Sequence, residues 1–436
     1  MRLAIALLAL TTIAAAPIDE VLHCGRIGEA GGLPAGTDMT RFVVDTARFP
    51  EAVCNDGTPA VFYVARGTET TKWLIFLQGG GACRDGQSCA ERGCSSDTNF
   101  GMDKMSSSTS KASIRADGLL DPGSHNRFGT WNRVLIYYCS SDTWSGTKTS
   151  TLTATGENGA TREFDLHFKG RLIIDAVLDT LRYASSGRRR VVRHDVTADT
   201  TPPPWPDLDT ATHVVFAGSS AGGGGAWKNA DRVGAKLRAT NPGLADYRAI
   251  IDATLNPLFE ERNWPATSLC SADPVACSYE SYFRHYWNET LVGTHGASAD
   301  ESCLAAHPGN EWLCADETHV IWNHITSPFF IRQDLQDSLI AGNFVEAGFG
   351  SALDYGVGIE GDVRHPPVPE EPRAPIGLFI PQCTHHESIT HGEPVFEVKV
   401  GGMNFHDTLW AWWSGAQPQQ VIRAFTGQTG RAPDCP

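Results

Sequence analysis

The sequence predicts an α/β fold: a mostly parallel central sheet with helices on both faces and a disulfide-containing cap insertion. Three observations carry this expectation. From residue 133 onward, apolar runs of strand length alternate with helical patterns or long loops, the rhythm of an α/β sheet. One such run, His213-Val-Val-Phe-Ala217, passes through Gly218-Ser-Ser-Ala-Gly222 into a helical stretch at 226–237, a strand–turn–helix unit. Residues 255–320 then break the rhythm with four cysteines, several tryptophans and few strand patterns, which reads as an insertion laid over the strand ends.

The elements follow in order. Residues 24–58 read as an opening segment rich in Gly, Asp and Arg. Ala60–Ala65 and Lys72–Leu77 are apolar runs separated by Gly67-Thr-Glu-Thr70, a hairpin pattern. The second runs into Gly79-Gly-Gly81. Residues 95–130 read as surface loop, and Arg133–Tyr138 as the next strand, leading into Cys139-Ser-Ser-Asp-Thr-Trp-Ser-Gly146. His167–Tyr183 spaces its apolar residues as an amphipathic helix does. The triple Arg188–Arg190 reads as a solvated face and 195–209 as loop. Arg248–Ala253 is a strand, Cys303–Trp312 a helix of the insertion, and Pro328–Ile331 a strand. Residues 345–373 read as loop, Pro375–Ile380 as the last strand, and Phe405–Trp413 as a helix carrying aromatics onto the sheet.

Composition narrows the function classes. The 436 residues are 41% hydrophobic and 19% charged, enough apolar content for a large core and too much for general disorder. The formal charge of −15 disfavours nucleic acid and anionic membrane surfaces, which need a basic face. Residues 1–16 have the form of a secretory signal: Arg2, the apolar Leu3–Leu10, and Ala14-Ala-Ala16 before a cut. That leaves 17–436 as a single catalytic domain with a cap-like insertion at about 255–320. No run reaches the roughly 20 apolar residues of a membrane span. Twelve cysteines suit an exported chain with a disulfide framework. Cys83 with Cys89, and pairs among Cys270, Cys277, Cys303 and Cys314, are the expected bridges. No cysteine pair has C-x2-C spacing and no His-rich partner follows, so a zinc site is not expected; no other metal or cofactor is expected either.

The candidate site gathers at the strand ends. Gly-x-Ser-x-Gly in a strand–turn–helix setting is a nucleophile elbow, whose strained turn lifts a serine clear of the sheet. Ser220 has glycine two residues to either side, Gly218 and Gly222, whereas its neighbour Ser219 does not. A glycine triplet at a strand end suits an oxyanion hole, because backbone N–H groups must converge with no side chain in the way. Asp142 and Trp144 are read as pocket-wall residues, since ligands of open α/β sheets gather at the carboxyl ends of strands; a purely structural turn is the other reading. A serine hydroxyl needs a base and the base an orienting carboxylate. The α/β-hydrolase order Ser, acid, His is met by Ser220, then Asp337 or Asp334, then His386 or His385, with His391 a third candidate base.

The chain resembles the pectin acetylesterase and Notum family of carboxylesterases. The matching stretches include Leu77-Gln-Gly-Gly-Gly-Ala-Cys83, Cys89-Ala-Glu-Arg92, Tyr138–Gly146, Gly218-Ser-Ser-Ala-Gly-Gly223, Asn229-Ala-Asp-Arg-Val233 and Cys383-Thr-His-His-Glu387. The resemblance implies a secreted serine esterase with Ser220 as nucleophile, His386 as base and Asp337 as acid. It implies oxyanion donors at the N–H groups of Gly80, Gly81 and Ala221. Small residues at Gly81 and Ala82, where the family often has a bulky aromatic, and Thr254-Leu-Asn-Pro257 after Asp252-Ala253 depart from the pattern at the acyl pocket. The substrate class expected first is an O-acetylated polysaccharide such as pectin. An esterase for longer acyl chains stands second, and a non-catalytic binding protein on the same scaffold third.

Overall fold

The computed structural model describes residues 33–95, 97, 100–156, 159–182, 192–193, 204–366, 375–416, 419–428 and 433–435. The signal segment 1–16, Cys24 and Arg188–Arg190 lie outside the described residues.

The fold is α/β around a mostly parallel sheet. Its strands are β1 (Ala35–Val43), β2 (Val61–Ala65), β3 (Glu69–Leu77), β4 (Ser113–Ile114) and β5 (Trp131–Ile136). A separate two-stranded hairpin follows, β6 (Lys148–Thr155) with β7 (Thr161–Phe168). The sheet continues with β8 (Val192–Arg193), β9 (His213–Ser219), β10 (Asp246–Asp252), β11 (Phe329–Arg332) and β12 (Ile376–Ile380). A short ladder joins β13 (Lys399–Val400) to β14 (Met403–Asn404), and β15 (Gln420–Ile422) closes the list. Among the described residues the large sheet runs β15-β12-β11-β10-β9-β3-β5-β2-β1-β4, with β8 also on β1. From β15 across to β5 every pair is parallel; β5–β2, β2–β1, β1–β4 and β1–β8 are antiparallel.

The helices are α1 (Gly86–Cys94), α2 (Gly170–Leu181), α3 (Ala221–Thr240), α4 (Ser268–Ala272), α5 (Tyr279–His285), α6 (Glu301–Ala306), α7 (Glu317–Asn323), α8 (Ile340–Glu346), α9 (Ala352–Arg364) and α10 (Phe405–Ser414). The inner strands are apolar on both faces, as parallel strands covered by helices must be; every residue of β2, β5 and β11 is buried. Residues 255–320, between β10 and β11, hold helical segments and no strand, with their own hydrophobic cluster of Trp264, Phe283, Leu291, Trp312 and Ala315.

Among the expectations that change, three concern the order and type of elements. The hairpin expected of β2 and β3 is absent, because β5 lies between them. Asn132, near the start of β5, holds the short connection: its amide donates to Glu69 O and Lys72 O (both 3.0 Å) and accepts from Gly67 N (3.1 Å). The β6–β7 hairpin replaces the start of the long helix expected at 167–183. Its strands are exposed on one face, so they lack the apolar run that marked the others. Helix α9 lies inside the expected loop 345–373. Its three internal glycines hide it from propensity, but a Ser351–Asp354 capping box starts it and Tyr355, Ile359 and Val363 anchor it in the core.

Five disulfides join described residues: Cys54–Cys139, Cys83–Cys89, Cys270–Cys277, Cys303–Cys314 and Cys383–Cys435. Such a framework belongs to an oxidising compartment. No helix among the described residues is long and apolar enough to cross a membrane.

Candidate active site

Ser220 stands between the end of β9 and the start of α3, with φ 56° and ψ −123°. A left-handed backbone is costly for a residue with a Cβ, so the surroundings must hold it. They do so by close packing: a Cβ added to Gly222 would lie 2.0 Å from Leu77 O, and one on Gly218 2.0 Å from Gly222 O. The elbow is part of a wider pattern. Among the described residues, the non-glycine residues with positive φ are Ser141, Thr143, Trp144, Ser220, Ala253 and Glu387. All of them follow the carboxyl ends of β5, β9, β10 or β12. Strain therefore gathers on one edge of the sheet, where functional sites keep it.

The Ser220 hydroxyl is 2.9 Å from His386 Nε2, and His386 Nδ1 is 2.9 and 3.0 Å from the two carboxylate oxygens of Asp337. Asp337 is fully buried. It is held from behind by the Leu339 and Ile340 N–H groups (both 3.0 Å) and by the Gln333 side-chain amide (3.1 Å). Burial alone would lower the His386 pKa, but the hydrogen bond and charge of Asp337, with Glu387 and Asp252 beyond, outweigh it and leave the value raised.

The neighbouring candidates belong to a second network. Ser219 donates its hydroxyl to Asp252, which also accepts from Ile389 N at 3.2 Å. Fully buried Arg332 sits between Asp252 (3.9 Å) and Asp334 (2.6 Å). Asp334 in turn accepts from His385 N at 2.7 Å, and the His385 ring bridges Asp334 and Glu393 at 3.3 and 2.9 Å. Burial pushes Asp252 up to about 6 against the pull of Arg332. Ser219, Asp334 and His385 thus brace the strand ends behind the Ser220–His386–Asp337 line. His391 touches neither; it lines a separate cavity of about 340 Å³ behind the elbow with Gly79, Lys104 and Glu387.

Ser220 opens on a cavity of about 570 Å³. Gly81 and Ala221 line it beside Ser220. Gly81 has φ 64°, a conformation glycine adopts without strain. Gly80 is set one step back; its carbonyl accepts from the buried Arg92 guanidinium at 2.6 Å, which fixes the orientation of the turn. Segment 255–320 supplies Phe259, Leu269 and Phe283 to the cavity wall, and α8 with the turn after it adds Phe344 and Phe349. The polar wall comes from Arg84, Thr143, Lys228, Asn256 and Glu317. Withdrawal from water brings Lys228 down to about 8 and Glu317 up to about 7.

Asp142 and Trp144 are not wall residues. Both are fully buried. Asp142 gathers Ser140 Oγ and the N–H groups of Trp144, Gly146 and Gly170 within 2.7 to 3.1 Å. Trp144 donates its indole N–H to Gln78 O at 3.1 Å and fills the space beside Gly225. The turn between them instead presents Thr143 to the cavity. Sequence reasoning also passed over Arg332, Lys228 and Glu317. Arg332 did carry a signal, a charge closing an apolar strand and followed by Gln-Asp.

Fold and site together define a protein of the α/β-hydrolase class, with a serine, histidine and aspartate in line at the strand ends. Residues 34–186 match the family model described as pectinacetylesterase. The palmitoleoyl-protein carboxylesterase notum1a of Danio rerio is 27% identical over 373 residues, 82% of this chain and 63% of the fish protein. Human palmitoleoyl-protein carboxylesterase NOTUM is 26% identical over the same shares of the two chains. The Drosophila melanogaster protein of that name is 28% identical over 65% of this chain and 36% of its own length. The chain spans less than two thirds of the length of these relatives. Its similarity to the Notum carboxylesterases extends over about four fifths of the chain, and its similarity to the pectinacetylesterase model over residues 34–186.

Proposed function

We propose that the protein is an exported carboxylic ester hydrolase. The observation that carries this is the unbroken line from Asp337 through His386 to Ser220 at 2.9 to 3.0 Å, opening on a cavity beside Gly81 and Ala221. In this reading His386 Nε2 takes the hydroxyl proton as Ser220 Oγ attacks the ester carbonyl. The N–H groups of Gly81, Ala221 and Gly80 receive the oxyanion. The alcohol leaves with the proton from His386, and an acyl-enzyme remains. Water then gives its proton to His386, attacks the acyl carbon, and the acid departs as the proton returns to Ser220. The residues need no metal for any of these steps.

Cavity size supports an acyl group well beyond acetyl. A volume of about 570 Å³ lies within the roughly 300–1,000 Å³ that accepts drug-sized ligands, and Phe259 and Phe283 of 255–320 with Phe344 and Phe349 of the α8 region give it an apolar side. In this reading segment 255–320 acts as the cap that shapes the acyl site. The names of the Notum relatives point the same way. The O-acetylated polysaccharide expected from the sequence is the second reading, supported by the polar wall of Arg84, Asn256 and Glu317 and by the pectinacetylesterase match. Hydrolysis of p-nitrophenyl esters from acetate to palmitate, with Ser220→Ala as control, separates them. A maximum at medium or long chains is expected. A sharp maximum at acetate would transfer the assignment to the glycan deacetylase, and no turnover on any ester would end the hydrolase reading.

A further inference from the structure

His307, His319 and His324 bring their Nε2 atoms together, away from the serine site. The separations are 3.0 Å between His319 and His307, 3.2 Å between His324 and His319, and 3.3 Å between His307 and His324. In a neutral imidazole, Nε2 is either a donor or an acceptor, never both. Three atoms sharing two roles must leave at least one pair facing like to like. Hydrogen bonds among the three rings therefore cannot satisfy the triangle, whichever tautomers are chosen. A cation at its centre can, because all three lone pairs then turn on one ion. Tetrahedral zinc, with Zn–N of about 2.0–2.1 Å, sets its nitrogen ligands roughly 3.3–3.4 Å apart, close to the spacing found.

We propose that these histidines form a binding site for a divalent transition metal of the imidazole-preferring class, with zinc its first occupant. His307 follows the end of α6, His319 lies within α7 and His324 follows its end. The Cys303–Cys314 disulfide ties the α6 segment to the approach to α7. Asp316 caps α7 by accepting from the Thr318 and His319 N–H groups at 2.8 and 3.3 Å. The ring spacing is thus set before any ion arrives. Cys303 lies beside the rings, but its sulfur is committed to the disulfide and offers no thiolate. All three histidines are only half-buried, which gives the ion a path in and leaves a fourth position for water. Three protein ligands with one open place is a recognised zinc arrangement. The site acts on α7, whose first residue, Glu317, lines the cavity over Ser220. The metal is a brace for that wall and takes no part in the ester chemistry.

The test uses the full chain without a polyhistidine tag, dialysed against chelator and titrated with zinc chloride by calorimetry. Wild type should bind one zinc per chain and melt at a higher temperature with it. His307→Gln and His319→Gln should each weaken binding by roughly 100-fold or more, beyond the 10–100-fold typical of losing an outer-shell partner, while p-nitrophenyl ester turnover persists. Wild type without zinc affinity tighter than millimolar would overturn the site. So would undiminished binding in the His307→Gln/His319→Gln double variant, provided its disulfides and circular dichroism match wild type.

Discussion

Ser220 and Ser219 are adjacent, yet the backbone sends them to different partners. Ser220, at φ 56°, points its hydroxyl at His386, while Ser219 turns inward to Asp252. Ser220→Ala should leave a folded protein whose ester turnover falls by roughly 10⁴-fold or more, read with p-nitrophenyl esters. His386→Ala should match it. His385→Ala should keep most of its turnover, because that ring serves Asp334 and Glu393; equal losses in the two variants would dismiss the assignment of the base. The pH profile follows from the same geometry. In the proposed mechanism His386 must be neutral to act as the base, and its pKa lies above the ordinary 6.5. Its neutral fraction grows with pH, so kcat/KM should climb through an acid limb centred above pH 6.5. Asp337→Asn removes the charge that outweighs burial, so that limb should move to lower pH while the plateau drops by roughly 10⁴-fold.

At the scale of elements, β9, α3 and the strands beside them are locked together by absent side chains and by one buried cation. Gly222→Ala places a methyl 2.0 Å from Leu77 O. Neither backbone can retreat without opening the β3–β9 pairing, so the variant should melt well below wild type, and an unchanged melting temperature would mean the elbow is looser than its contacts imply. Arg332→Leu leaves Asp252 and Asp334 buried without their counter-charge. The expected loss is about 3–5 kcal/mol. It should be larger at pH 8 than at pH 5, because Asp252, at about 6, is mostly neutral at the lower pH. Denaturant titration at both values would detect a loss that is flat with pH, which would remove Asp252 from the network. The apolar run of β11 displays Arg332 in the sequence, but its partners come from the ends of β10 and β11, which only the sheet brings together.

Over the whole molecule, covalent links and the inserted segment organise the site. Cys54–Cys139 joins positions 85 residues apart, tying the chain before β2 to the turn after β5. Cys54→Ser with Cys139→Ser should cost about 2–5 kcal/mol and shift the urea midpoint accordingly. Retained stability in the double variant would show that packing alone holds these ends. The segment 255–320 stands out in the sequence by its cysteines, which pair among themselves as expected, Cys270 with Cys277 and Cys303 with Cys314. Its part in the cavity did not stand out, because Phe259, Leu269 and Phe283 meet Phe344 and Phe349 only across the folded chain. The three-histidine cluster was hidden in the same way. Its members are 12 and 5 residues apart; His319 and His324 have the H-x4-H spacing of many zinc sites, but no C-x2-C pair accompanies them, and the three rings become a site only through a helix end and a disulfide.

The sequence by itself determined the strand runs, the elbow at Ser220 and the order serine, aspartate, histidine. These are local facts, written in apolar periodicity and in glycines that a sharp turn requires. Family resemblance chose between adjacent residues where pattern could not. Tertiary structure alone decided that Asp337 faces His386 while Asp334 faces Arg332, that β5 divides β2 from β3, and that Asp142 and Trp144 support the turn from behind. It alone decided the size and lining of the cavity. Each of these depends on which side chains distant in the chain come within about 3 Å, the reach of a hydrogen bond, and no local pattern carries that information.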